Sequence, residues 1–169
     1  MLTTYQFESE RLYTNTLKKT DVDTLFEFYS DQEAMRFRGS KPMLQVNDAL
    51  KMINNQLQKN NAELKLRLGI RAKASNELLG TLLLKVKNTS ANECEVGFSF
   101  GKKHWGKGYA TETLNMVESK LVTDQNYSTL IAWCKNENKA SIRVFKKSGY
   151  QVIEQTDYPD SILFGKTLN

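Results

Sequence analysis

The run His104-Trp105-Gly106-Lys107-Gly108-Tyr109-Ala110-Thr111-Glu112 concentrates the residue types best suited to chemistry in this chain. It stands between a strand-like stretch and an amphipathic one. Successive backbone amides at a helix N-terminus lack intrahelical acceptors and carry partial positive charge. Glycine lets such a backbone take a positive φ and approach an anion closely. Together these features can cradle a phosphate, with Lys107 adding a point charge at the rim. The same residues also suit a tight strand-to-helix turn with no ligand. A P-loop would need Gly-x-x-x-x-Gly-Lys-[Ser/Thr], which is absent. The dinucleotide fingerprint Gly-x-Gly-x-x-Gly fails as well, because Tyr-Ala-Thr-Glu follows the Gly-x-Gly here.

Just upstream, Glu93-Cys94-Glu95-Val96-Gly97-Phe98-Ser99-Phe100 alternates as a strand does. Alternation puts Glu93, Glu95 and Gly97 on one face and Cys94 and Val96 on the other. A strand carboxylate beside a cleft can serve as a general base, and it can equally be a solvated surface group. Cys94 and Cys134 both sit in apolar stretches without a neighbouring Cys or His, so they read as reduced thiols of a cytoplasmic protein. One histidine leaves no basis for a His-rich metal site, and no metal is expected. His104 either touches a phosphate or is exposed. The net charge of +5 fits nucleic-acid binding, an anionic cofactor or neither. With lysines scattered and no basic block, a solvated surface with a local anion site is expected, and the lack of interleaved aromatic and basic residues speaks against nucleic acid.

The elements that must hold these residues can be placed from the changing period. A first strand is expected over 8–17, then a helix capped by Thr20 with Val22, Leu25, Phe26 and Phe28 as its apolar stripe. Asp31 to Pro42 connects to a second helix from about Val46 to Lys59. Residues 64–72 and 78–87 read as an antiparallel hairpin, Asn88 to Asn92 as a polar turn, and 93–100 as the next strand. The glycine loop then opens a helix running to about Asp124. A buried strand over 129–134, a helix from Asn138 to Ser148 ended by Gly149, and strands near 150–155 and 161–167 complete the chain. This order describes an α+β, or mixed α/β, sandwich around one sheet, with residues 1–169 as one domain. No apolar run approaches the roughly 18 residues of a membrane span, and no signal peptide is evident.

Trp105-x-x-Gly108-x-Ala110 resembles the acetyl-CoA-binding motif [Gln/Arg]-x-x-Gly-x-[Gly/Ala] of the Gcn5-related N-acetyltransferases, the GNAT superfamily. Trp replaces the usual first residue. The form Trp-Gly-Lys-Gly-Tyr-Ala-Thr-Glu is similar to the branch of the ribosomal-protein N-acetyltransferases, the RimJ/RimL type. Ser9-Glu10-Arg11-Leu12 and Ser30-Asp31-Gln32-Glu33 resemble other segments of that branch, and Asn138 to Tyr150 is similar to the superfamily's second motif. The resemblance runs from about residue 8 to 155.

It implies the acyl-CoA N-acyltransferase fold: a twisted, mostly antiparallel sheet of about seven strands flanked by about four helices. A splayed parallel pair, 93–100 and 129–134, would take the cofactor. It implies an acetyl-CoA-dependent N-acetyltransferase acting on a protein N-terminal or small-molecule amine by direct attack in a ternary complex. The alternative is a non-catalytic acyl-CoA-binding or sensing module. Cofactor contacts would come from Phe98 and Phe100 through their main chain, and from Trp105, Gly106, Lys107, Gly108, Tyr109, Ala110 and Thr111. Asn138, Ser141 and Phe145 complete the set. Trp105 either packs on the cofactor or fills core, Asn138 either caps a helix or bonds the pantetheine, and Gly97 would permit a bulge that opens the strands. Glu95 is the candidate general base. Phe145 stands where many relatives carry a tyrosine acid, leaving Ser141 to support the thiolate. Tyr29, Phe37 and Arg38 are candidate acceptor contacts. Glu112 is read as structural, and a homodimer is a common state among such relatives.

Overall fold

Alternating Leu64, Leu66, Leu68 and Ile70 give a strand with one apolar face, and this strand, β3 (Glu63–Ala72), pairs on both sides within the sheet. The computed structural model describes residues 6–87, 92–124, 127–153 and 158–168. Ahead of β3 lie β1 (Leu12–Asn15), α1 (Val22–Ser30), α2 (Gln32–Met35), α3 (Val46–Asn54) and β2 (Leu57–Lys59). After it come β4 (Leu78–Lys87), β5 (Glu93–Phe100), α4 (Tyr109–Asp124), β6 (Thr129–Lys135), α5 (Lys139–Lys147), β7 (Gln151–Val152) and β8 (Ser161–Thr167). The strand order is β1-β3-β4-β5-β6-β8-β7, with β2 also on β3. Every pair is antiparallel except β5 with β6.

Two apolar clusters cover the two faces. On one, α4 and α5 bring Leu114, Leu121 and Phe145 against Leu82, Leu84, Val96 and Phe164. On the other, α1 and α3 bring Leu25, Phe28, Tyr29, Ala49 and Ile53 over Leu78. Gly101 permits the second packing: a Cβ there would lie 2.2 Å from the Phe28 ring.

The described residues form eight strands and five α-helices, against the expected seven and four. The first strand is short, and a 3-10 turn, Lys19–Asp21, leads into α1. Thr20 does not cap that helix. Asp21 stands at its N-cap without a side-chain cap bond. Its buried carboxylate instead accepts from the Lys18 amide at 2.8 Å and from Arg71 Nη2 at 2.7 Å. The expected connecting segment contains α2, capped by the Asp31 carboxylate accepting from the Ala34 amide at 2.8 Å.

The second helix stops five residues short of Lys59. Leu57 extends the apolar spacing of α3, yet it pairs with Leu66 as a strand residue. Gln56 accounts for the break. Its side chain accepts from the Leu17 amide at 2.7 Å and donates to the Leu17 carbonyl at 3.1 Å, while its own carbonyl accepts from the Arg67 amide at 2.6 Å. Non-local bonds thus override the helical period. The strand expected over 150–155 is described as Gln151–Val152, and its last two residues lie outside the described residues, as do 88–91 of the expected polar turn.

Candidate functional site

β5 and β6 run parallel and in register over only three pairs, Glu93 with Thr129, Cys94 with Leu130 and Glu95 with Ile131. Beyond them the strands part. β5 stays on β4 as far as Phe100, and β6 stays on β8 as far as Lys135. The sheet therefore opens a V whose two arms, Val96–Phe100 and Ala132–Lys135, are not paired to each other. Gly97 is no bulge. It pairs regularly with Leu83, and a Cβ there would meet Leu83 at an ordinary 3.7 Å. The opening arises because each strand follows its outer neighbour. Gly97 leaves one face of its arm bare.

The glycine loop lies at the open end. Gly106 (φ 73) and Gly108 (φ 78) both occupy the left-handed region that favours glycine. A Cβ at Gly106 would meet nothing within 4 Å, so the loop faces open space. α4 starts at Tyr109, and the first-turn amides of Tyr109, Ala110 and Thr111 have no intrahelical acceptor. The first helical bond here runs from the Glu112 amide to the Gly108 carbonyl at 3.1 Å. Lys107 is exposed at the rim.

Arg11 fixes this loop, and sequence reasoning did not assign it that part. Its Nε donates to Glu112 Oε2 at 2.7 Å and its Nη1 to the Lys107 carbonyl at 3.2 Å. Its guanidinium lies 4.8 Å from the Tyr109 ring centroid. Glu112 also accepts from the Ser9 hydroxyl at 2.7 Å and the Arg11 amide at 3.0 Å. Burial alone would raise the Glu112 pKa, but the bonds from Ser9 and Arg11 outweigh it and hold the carboxylate below its ordinary value. Glu112 is thus structural, as read. The Ser-Glu-Arg opening carried the signal, but its target is about a hundred residues away.

Trp105 does not fill core. It is 46% exposed, and its Nε1 donates to the Phe100 carbonyl at 3.0 Å, tying the loop to the end of β5. His104 is buried rather than exposed, 6% accessible, edge-on to the Phe28 ring. Burial lowers its pKa, the nearby Glu77 opposes this, and Lys103 and Lys107 add to the lowering. It is turned into the fold and not toward the loop's open side.

α5 reaches the other arm of the V. Asn138 caps it, its side-chain oxygen accepting from the Ser141 amide at 3.1 Å. Ser141 lies in the first turn, partly exposed. Phe145 is 3% exposed, stacked 5.3 Å from Phe164 and 5.6 Å from Phe98, so it closes the floor between the two strand systems as core. Phe98 and Phe100 face the same cluster, and Phe100 meets the Tyr109 ring at 6.1 Å. Cys94 and Cys134 are free and buried, and burial pushes their thiols up to about 12 and about 11. Neither suits nucleophilic work.

Glu95 is the last paired residue before the V opens, and its carboxylate lies 3.7 Å from Lys85 Nζ, which also meets Glu63 at 3.5 Å. On that same face, register aligns Arg67, Leu83 and Gly97 in one row and Gly69, Thr81 and Ser99 in the next. Tyr29 of α1 is buried there, its hydroxyl 2.6 Å from Thr81 Oγ1. Arg67 Nη1 donates to Tyr29 Oη at 3.0 Å and to Thr81 Oγ1 at 3.2 Å. Arg38 lies over the Tyr29 ring at 4.3 Å. Phe37 is not in this group and stacks with Arg36 at 5.2 Å. Arg67, Thr81 and Ser99 escaped sequence reasoning because only register brings them together.

Among the described residues no cluster of three metal-ligating side chains occurs. No helix among them is long and apolar enough to cross a membrane. Residues 11–151 match the acetyltransferase (GNAT) domain family. The chain is 27% identical over 146 residues, 85% of this chain and 80% of the other, to a Bacillus licheniformis protein described as uncharacterized N-acetyltransferase p20. Its fold is similar to that of a Bacillus anthracis acetyltransferase of the GNAT family (TM-score 0.81, 20% identity, covering 96% of this chain and 98% of that one). It is also similar to that of a Vibrio cholerae spermidine N-acetyltransferase in complex with CoA and spermine (TM-score 0.77, 17% identity, covering 95% and 97%).

Proposed function

This chain belongs to the GNAT acetyltransferase family, and from that premise we propose that it moves an acetyl group from acetyl-CoA to a primary amine. The observation that carries the proposal is the V between β5 and β6, whose arms stop pairing after three residues and open toward the glycine loop that follows β5. Open strand edges suit an extended amide-bearing arm, and free first-turn amides suit a diphosphate. The residues present fit that cofactor. Gly106 to Thr111 would hold the diphosphate with Lys107 at the rim. The main chain of Phe98 and Phe100, together with the remaining side-chain donors of Asn138, would hold the pantetheine arm. When bound, the cofactor supplies an activated thioester.

On this reading the neutral amine attacks the thioester carbonyl, a C–N bond forms, the C–S bond breaks, and the thiolate departs. A backbone amide of the Val96–Phe100 arm would stabilise the developing oxyanion. Glu95 at the apex would take the amine proton, directly or through water. An α-amine, with a pKa of about 8, needs less help than a lysine at about 10.4. With Phe145 carrying no proton, the Ser141 hydroxyl would support the departing thiolate, a good leaving group.

Calorimetric titration with acetyl-CoA, paired with thiol release over a panel of amines, tests this. Saturable binding with release supports the enzyme. Binding without release from any amine leaves the acyl-CoA-sensing module, a reading favoured by the missing hydroxyl at Phe145. Absence of binding refutes both. The Vibrio cholerae protein is a spermidine N-acetyltransferase, which acts on a polyamine, but fold likeness at 17% identity does not transfer an acceptor. A reduced cytoplasmic setting and a homodimer remain parts of this proposal.

A further inference from the structure

The Tyr29, Arg38, Arg67 and Thr81 group has a donor set that no described residue consumes. Arg67 is half-buried, and both bonds its guanidinium makes leave from Nη1. Nε–H and the two Nη2–H groups have no acceptor among the described residues, and neither Arg67 nor Arg38 forms an ion pair with a carboxylate there. That free edge is the fork that receives both oxygens of a carboxylate. One strand further on, Ser99 is 9% exposed, and its buried Oγ has no hydrogen-bond partner among the described residues. Ser99 lies opposite Thr81, on the arm of the V that stops pairing. Adjacent strands are about 5 Å apart, so the guanidinium and the bare face at Gly97 are separated by the span of a small molecule.

A groove of about 260 Å³ leads to Arg67 from the α3 side, with Met43, Met52, Lys51, Lys65 and Asp48 on its walls. Asp48 accepts from the Leu44 and Gln45 amides and pairs with Lys51 at 3.3 Å. Lys65 and Arg67 leave the groove positive. Tyr29 reports the same field. Its burial would raise the phenol pKa, but Arg67 and Arg38, with the Thr81 bond, hold it below the ordinary value. A site that favours negative charge, and whose wall carboxylate Asp48 is already taken by Lys51 and two backbone amides, suits an anionic ligand group and rejects a polycation.

We propose that the acceptor is an amino-acid-like amine whose carboxylate is bound by the free edge of Arg67, with Arg38 adding charge and Ser99 a hydroxyl. This rests on the acetyltransferase reading for the amine, but the carboxylate site is testable without turnover. The probes are N-acetylated amino acids with small, aliphatic and aromatic side chains, each beside its carboxamide twin, titrated calorimetrically into the CoA-saturated protein. At least one carboxylate is expected to bind tenfold or more tightly than its twin, and Arg67→Gln to cut that preference below twofold. Arg38→Gln, which leaves the Arg67 bonds in place, is expected to reduce the preference two- to fivefold and serves where Arg67→Gln does not fold. Equal binding of every pair, no binding of any probe, or a preference that survives both variants overturns the proposal. Thiol release with free amino acids, their amides and spermidine is measured separately. Failure of every amine there counts against the enzyme reading, while the twin comparison still decides the carboxylate site.

Discussion

Replacing Arg11 by Gln should weaken CoA binding about tenfold while leaving the fold intact. The guanidinium meets Glu112 through Nε and Nη2, bonds the Lys107 carbonyl, and rests on the Tyr109 ring. An exposed ion pair contributes roughly 0.2–1 kcal/mol. Hydrogen bonds to charged groups contribute roughly 1.5–3 kcal/mol when buried. The Arg11 side chain is 49% exposed and that of Glu112 16%, so the sum lands at about 1.5 kcal/mol, near tenfold in Kd. The loss appears in binding because Arg11 holds a loop that otherwise faces open space at Gly106. Titration calorimetry with CoA on wild type, Arg11→Gln, Glu112→Gln and the double variant measures it. The cycle should give a coupling of about 1 kcal/mol. A single variant within twofold of wild type, or additive singles, would refute the idea that this pair sets the loop.

Other outcomes follow from the same geometry. Glu95→Gln should lower kcat about 100-fold at neutral pH with KM for acetyl-CoA within about twofold, and an unchanged kcat in steady-state kinetics would remove Glu95 as base. Asp21→Ala strands the buried Arg71 guanidinium and should destabilise the protein by about 3 kcal/mol in urea unfolding, more than any exposed pair here. The sole histidine should titrate below 6.5 by NMR, because burial disfavours its charged form. Its folded pKa being depressed, its contribution to stability is complete above about 6.5 and is lost as pH falls toward the folded value. A midpoint above 6.5 would contradict the buried placement against Phe28.

Local signals told much of this structure. The period-two runs gave β4 and β5 to the residue, and the glycine loop, Asn138 and Gly149 marked the ends of α4 and α5. Errors arose where distant groups decided the outcome. Leu57 continues the apolar spacing of α3, yet Gln56 bonds to Leu17 and Arg67 and pulls the chain into β2. Thr20 was expected to cap α1, but Asp21 stands at the N-cap position and Arg71 claims its carboxylate from β3. The glycine loop and its two left-handed glycines were legible because those residues are contiguous. Of the group around Tyr29 only Tyr29 and Arg38 were legible, since Arg67, Thr81 and Ser99 sit on three strands whose register no single sequence specifies. Alternation alone did place Arg67 on the face opposite Leu66 and Leu68, and that was the one available hint.

The three-pair junction of β5 and β6 also bears on how long the protein lasts. It divides the sheet into two plates, β1 to β5 and β6 to β8, with unpaired edges facing one another inside the molecule. Exposed backbone at such a seam is where local opening starts and where proteases gain entry. A ligand that bonds both edges acts as a removable staple. At a hundred times its Kd it would add about 2.7 kcal/mol to the native state. If the gap admits the proposed acyl donor, survival of the chain in a cell would rise and fall with the supply of that donor, and the protein's abundance would gauge it.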